Sequence, residues 1–140
     1  MRPTKYARLV RVCDERNRGE PTSSVCERLE RLIATGVHKS QKPYKRQHTD
    51  APYRGQPVVA VGAHGHDDIA MFGAYAGLAW RPNPAADDTM FPTVIDVDWD
   101  PHLYAVDPAA VQRIVGPLPR SMKFISKAEF DALREIAVPR

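Results

Sequence analysis

The chain reads as α+β: a small mixed or closed β-sheet with two or three peripheral helices, one domain over residues 1–140. Three observations predict this. Strand-like apolar runs cluster in the middle of the sequence instead of alternating regularly with helices. Two Ser-x-x-Glu sequences, Ser24 to Glu27 and Ser126 to Glu129, open amphipathic stretches as capping boxes. No glycine-rich phosphate loop follows the first apolar run, which argues against a doubly wound nucleotide-binding fold.

The elements follow in order. Lys5–Cys13 (KYARLVRVC) alternates imperfectly and reads as a strand with one exposed edge. After a polar loop, Ser24 caps a helix whose face carries Val25, Leu29, Leu32 and Ile33, and Gly36 ends it. Residues 37–55 lose apolar periodicity and read as a long basic loop or arm, a length that in compact domains usually signals function or disorder. Pro57–Val61 is a buried-type strand, and Gly62–Asp68 (GAHGHDD) has turn chemistry. Ile69–Trp80 contains glycines that suggest a bent strand or bulge, and Arg81–Met90 is a loop. Thr93–Trp99 (TVIDVDW) alternates strictly. Asp107 and Pro108 open a helix over Ala109–Val115. Ser121–Ile125 is a last strand, followed by a short helix carrying Phe130, Leu133 and Ile136.

Composition excludes several classes. At 43% hydrophobic and 26% charged residues the chain suits a soluble globular domain. No apolar run reaches the roughly 18 residues a membrane span needs. The first residues lead into an arginine-punctuated segment, unlike a signal peptide. Cys13 and Cys26 are expected as reduced, buried thiols, and a cytoplasmic location is expected with them.

The net charge of +3 is unevenly spread. Residues 1–54 hold 13 Lys and Arg against 6 acids, residues 55–108 a single Arg81 against 8 Asp, and residues 109–140 six basic residues against three acids. Such asymmetry gives either a basic face for a polyanion or opposed patches that meet inside the fold. The basic stretch interleaves Lys39, Lys42, Lys45, Arg46 and Arg54 with Tyr44 and Tyr53. Cations beside flat rings are the equipment for holding phosphates and stacking unpaired bases. Trp80 and Trp99 each end an apolar run and offer further stacking faces, or simply core bulk.

Two motifs point to metals. His64, His66 and Asp68, directly after a strand, have the residue types that hold zinc, iron or manganese. The string resembles the first metal motif of metallo-β-lactamase-type hydrolases, but Ile69 stands where the next ligand belongs; a polar hairpin turn explains it as well. Asp96, Asp98 and Asp100 are equally a solvent-facing strand surface. No nucleophile elbow or catalytic triad is present, so no catalytic residue is assigned, and the reading leans away from an enzyme while leaving the question open.

Gly55–Val61 (GQPVVAV), Ile69–Trp80, Thr93–Trp99 with Pro101, and Ser121–Leu133 (SMKFISKAEFDAL) together resemble the PUA-like superfamily, particularly its EVE- and ASCH-type domains. The similarity spans about residues 55–135, and Lys5–Cys13 can supply a first strand. Gln56 stands where an acidic residue is common, and Ala7 where an aromatic is. The resemblance implies a pseudo-barrel that binds RNA or a modified nucleobase in a pocket, without a cofactor and, in the EVE case, without catalysis. Trp80 and Trp99 would then stack on the base and Asp98 would accept from its edge. Strand parity nevertheless sends Asp98 and Trp99 to opposite faces unless a bulge intervenes.

The expectation is therefore nucleic-acid binding, to DNA or RNA, by stacking on an extruded or modified base. Two rivals stand beside it: a metal-dependent hydrolase using His64, His66 and Asp68, and a small phage- or bacterium-encoded module that binds a protein partner through its opposed patches.

Overall fold

The computed structural model describes residues 5–12, 24–40, 52–64, 66–76, 81–82, 93–120 and 122–140. The elements are β1 (Ala7–Arg11), α1 (Val25–Thr35), β2 (Val37–Ser40), β3 (Pro57–His64), β4 (Asp67–Tyr75), β5 (Arg81–Pro82), β6 (Thr93–Trp99), β7 (Tyr104–Val106), α2 (Pro108–Val115), β8 (Met122–Ile125), α3 (Lys127–Ile136) and β9 (Val138–Pro139). The fold is α+β, as the sequence predicts. The main sheet runs β2-β6-β4-β3-β1-β8 and curls into a half-barrel. Only the β1–β3 pair is parallel; all other described pairs are antiparallel.

Both Ser-capped helices start where the sequence places them, with the hydroxyl half of the predicted box seen at α1 and the full box at α3. The Ser24 hydroxyl accepts from the Glu27 amide at 3.2 Å, and Gly36 closes α1 in the left-handed conformation, φ 66°. At α3 the box is reciprocal: Ser126 accepts from the Glu129 amide at 3.1 Å, and the Glu129 carboxylate accepts from the Ser126 amide at 2.9 Å. At α2, Asp107 is the N-cap residue and Pro108 begins the helix.

The pleat divides the apolar residues between two cores. Ala7, Leu9, Val59, Val61, Ala70, Phe72 and Ile125 face α2 and α3, meeting Val111, Val115, Phe130 and Leu133. Val10, Val12, Val58, Ala60, Ile69, Met71 and Val97 face the concave side, meeting Val25, Leu29 and Leu32 of α1. A sheet covered on both faces explains why β3 is nearly all apolar.

Several elements differ from the sequence expectation. Residues 37–55 are not wholly a loop, because Val37–Ser40 pair with β6 as β2. Four residues, three of them polar, carry too short a pattern to reveal a strand; the open edge of β6 makes it one. The GAHGHDD stretch is not all turn, since β3 and β4 stay paired out to His64 opposite Asp67. Gly73 makes no bulge in β4, whose register against β3 runs unbroken from Asp67 to Ala74, and Gly77 lies outside the described residues. Gly73, and Gly62 in β3, serve close approach. A Cβ on Gly62 would lie 2.4 Å from the Val12 carbonyl oxygen, and one on Gly73 would lie 2.7 Å from Cε3 of Trp99. β7 and β9, absent from the sequence reading, are short strands defined by their pairing with β4 and with each other.

Candidate functional site

The register fixes what gathers at each end of the half-barrel. β1 and β3 begin at one end, which we term the entry rim; β4 and β8 finish there. β6 starts at that end too, antiparallel to β4, and β2 runs out there opposite Thr93. The opposite end carries the β3–β4 hairpin.

One row of directly opposed residues crosses the concave face near the entry rim: Phe124, Arg8, Val58, Gly73 and Trp99. Arg8 sits between Phe124 and Val58 in it with no solvent exposure. Burying a guanidinium costs several kcal/mol unless other groups compensate. Here the Nε of Arg8 donates to Gln56 Oε1 at 3.1 Å. The guanidinium carbon also lies 4.9 Å from the Phe124 ring centroid and 5.9 Å from that of Tyr75, within cation–π range. Gln56, itself 1% exposed, is set by the backbone: its carbonyl accepts from the Tyr75 amide at 3.0 Å.

His38 completes the polar group. Its Nδ1 lies 2.7 Å from the Tyr75 hydroxyl. Burial, assisted by the Arg8 charge, lowers its pKa to about 3, so the imidazole is neutral at physiological pH. Tyr53 lies at the edge of this group and is the exposed aromatic among the described residues, at 36%. Burial, then the neighbouring Tyr6, raise its pKa. Lys5 places its ammonium 5.2 Å from the Phe124 centroid.

The residues expected from the sequence fall into three groups. Tyr53 and Arg54 lie exposed in the turn before β3, at the rim, and Lys39 stands in β2 opposite Val94. Lys42, Tyr44, Lys45, Arg46 and Trp80 lie outside the described residues. Trp99 is half-buried on the concave row; its indole N–H donates to the Val37 carbonyl at 2.9 Å, and its ring covers Gly73. Asp98 is exposed and pairs in unbroken register with Ala74, so no bulge brings it to the face of Trp99.

The metal motif does not converge. His64 lies opposite Asp67 and Asp68 opposite Ala63, so the pleat sends His64 and Asp68 to opposite faces of the hairpin. Asp68 is buried, and desolvation raises its pKa, with Arg11 opposing and Asp107 and Asp67 reinforcing the rise. His66 is exposed. Among the described residues no three His, Cys, Asp or Glu side chains come together as a metal site. Cys26 is half-buried against the concave core, and Cys13 lies outside the described residues. Among the described residues no helix is long and apolar enough to cross a membrane.

Sequence reasoning missed Arg8, Gln56, His38, Tyr75 and Phe124. Arg8 and Phe124 lie 116 positions apart and meet only because β1 pairs with β8. One signal was present: an arginine at a strand position whose i+2 and i+4 neighbours, Val10 and Val12, belong to a buried face.

Comparison with protein-family models, with curated proteins and with solved structures gives no match to this chain.

Proposed function

We infer that the chain is a nucleic-acid-binding domain that accepts an unpaired or extruded base, of DNA or RNA, at the entry rim. The PUA-like resemblance belongs to this reading. One observation supports it most. Ser40 and Pro52, which flank the undescribed basic stretch 41–51, and Ala76 and Arg81, which flank Trp80, adjoin the strand ends at this rim. Arg8, Tyr53, Tyr75 and Phe124 gather at the same place. Cations supply sequence-independent attraction to phosphates, and rings supply stacking faces. A modified base would be selected among the rings by shape and edge contacts. The hydrolase and the protein-interaction module have no comparable observation in their favour.

The test is fluorescence anisotropy of labelled single-stranded and duplex oligonucleotides across a salt series. The Lys42→Ala, Lys45→Ala, Arg46→Ala triple variant should bind more weakly with every probe sequence. Its salt slope should shrink by about two to three, near one for each lost phosphate contact. Absence of binding by the unaltered chain to every probe at low salt would remove the proposal.

A further inference from the structure

Resting on that reading, we propose that the ligand is single-stranded rather than duplex nucleic acid, and that Tyr53 supplies the stacking face while Lys5 contacts the phosphate. The contact is assembled from segments far apart in sequence: Lys5 and Tyr6 before β1, Tyr53 before β3, and Phe124 on β8. Tyr53 is the most exposed of the described Phe, Tyr and Trp residues, and its hydroxyl lies 3.5 Å from the Tyr6 carbonyl oxygen. Lys5 and Arg8 approach the same Phe124 ring, at 5.2 and 4.9 Å. Tyr53 meets this group through Tyr6, the residue that follows Lys5 in the chain.

Trp99 differs in kind. Its N–H is committed to the Val37 carbonyl and its ring is packed over Gly73, so it builds the wall rather than the platform. A tyrosine face beside a lysine suits a strand whose bases are already unstacked, because every base offers a π-face and the backbone stays within reach of the cation. In a duplex those faces are occupied by neighbouring bases, so the duplex gains only the electrostatic part.

The experiment uses the full chain with labelled single-stranded DNA, single-stranded RNA and duplex probes of about 12 nucleotides, a length within the usual span of single-strand sites. Single strands should bind more tightly than the duplex. Tyr53→Ala and Tyr53→Leu should each weaken single-strand binding on the order of tenfold, whereas Tyr53→Phe, which keeps the π-face, should stay within about twofold. Lys5→Ala should lower the salt slope by about one. Tyr53→Leu retains apolar bulk, and thermal melts followed by circular dichroism confirm that each variant is folded. Unchanged binding by folded Tyr53→Leu, while the triple variant of residues 42, 45 and 46 still loses affinity, would overturn this inference and leave nucleic-acid binding standing. Preference for the duplex would do the same. Failure of the unaltered chain to bind any probe would remove both.

Discussion

The two faces of the sheet are built to different rules. The outer face, beneath α2 and α3, is closed by aliphatic residues and by Phe72, whose ring meets Phe130 edge-on at 5.7 Å and Tyr104 at 5.6 Å. The concave face is apolar under α1 but changes character toward the entry rim, where Arg8, Gln56, His38 and Tyr75 take up interior positions. Polar side chains held inside a small domain reduce its stability unless compensated. Both faces bury an apolar core, and the rim half of the concave face differs in holding polar side chains whose desolvation those cores must offset.

That contrast can be broken at three points. Phe72→Ala should have the largest effect, a loss of about 3–5 kcal/mol for a buried aromatic truncated to a methyl group. Urea denaturation measures it, and nucleotide affinity of the folded fraction should not change. Gly73→Ala should cost less, about 1–3 kcal/mol, the range for overpacking a filled space. Its new Cβ would press on the Trp99 ring and on the Asp98 carbonyl, 2.7 and 2.8 Å away. The Trp99 indole N–H resonance in NMR should shift as the bond to Val37 adjusts; an unmoved resonance would mean that the concave face yields elsewhere.

His38 gives the smallest effect near neutral pH, because its contribution changes only in acid. Its pKa in the folded protein, about 3, lies below the ordinary value of 6.5, so the unfolded chain binds the extra proton between those values. Stability from this group is complete above about pH 6.5 and declines as pH falls toward 3. A single group contributes at most about 1.4 kcal/mol per pH unit. His38→Gln should flatten the denaturation midpoint against pH in that window, and an unchanged slope would assign acid sensitivity to other groups.

Much of the frame was legible. The helices around Ser24 and Ser126 were announced by capping chemistry that acts over three residues, and β6 by its alternation. β2, β7 and β9 were not legible, because two to four residues carry too little periodicity and acquire strand geometry only from the neighbour they pair with. The place of Gly73 was not legible for a related reason: the Trp99 ring it accommodates lies 26 positions away. At the site, Tyr53 and Arg54 stood out through the basic–aromatic composition of their segment, whereas Arg8 resembled an ordinary strand arginine. Val10 and Val12 mark its face as buried, but the rings that enclose the guanidinium, Phe124 and Tyr75, are not local to it.

The sequence by itself determined the fold class, the capped helices, the uneven charge and the interleaving of cations with rings, because short-range hydrogen bonds and local periodicity encode such features. Only the tertiary structure decided that β1 lies between β3 and β8, that Arg8 is enclosed, and that Lys5, Tyr53 and Phe124 share a rim. Those outcomes depend on strand pairings between residues up to 118 positions apart, such as Ala7 with Ile125, and on the curl of the sheet, which no local pattern specifies.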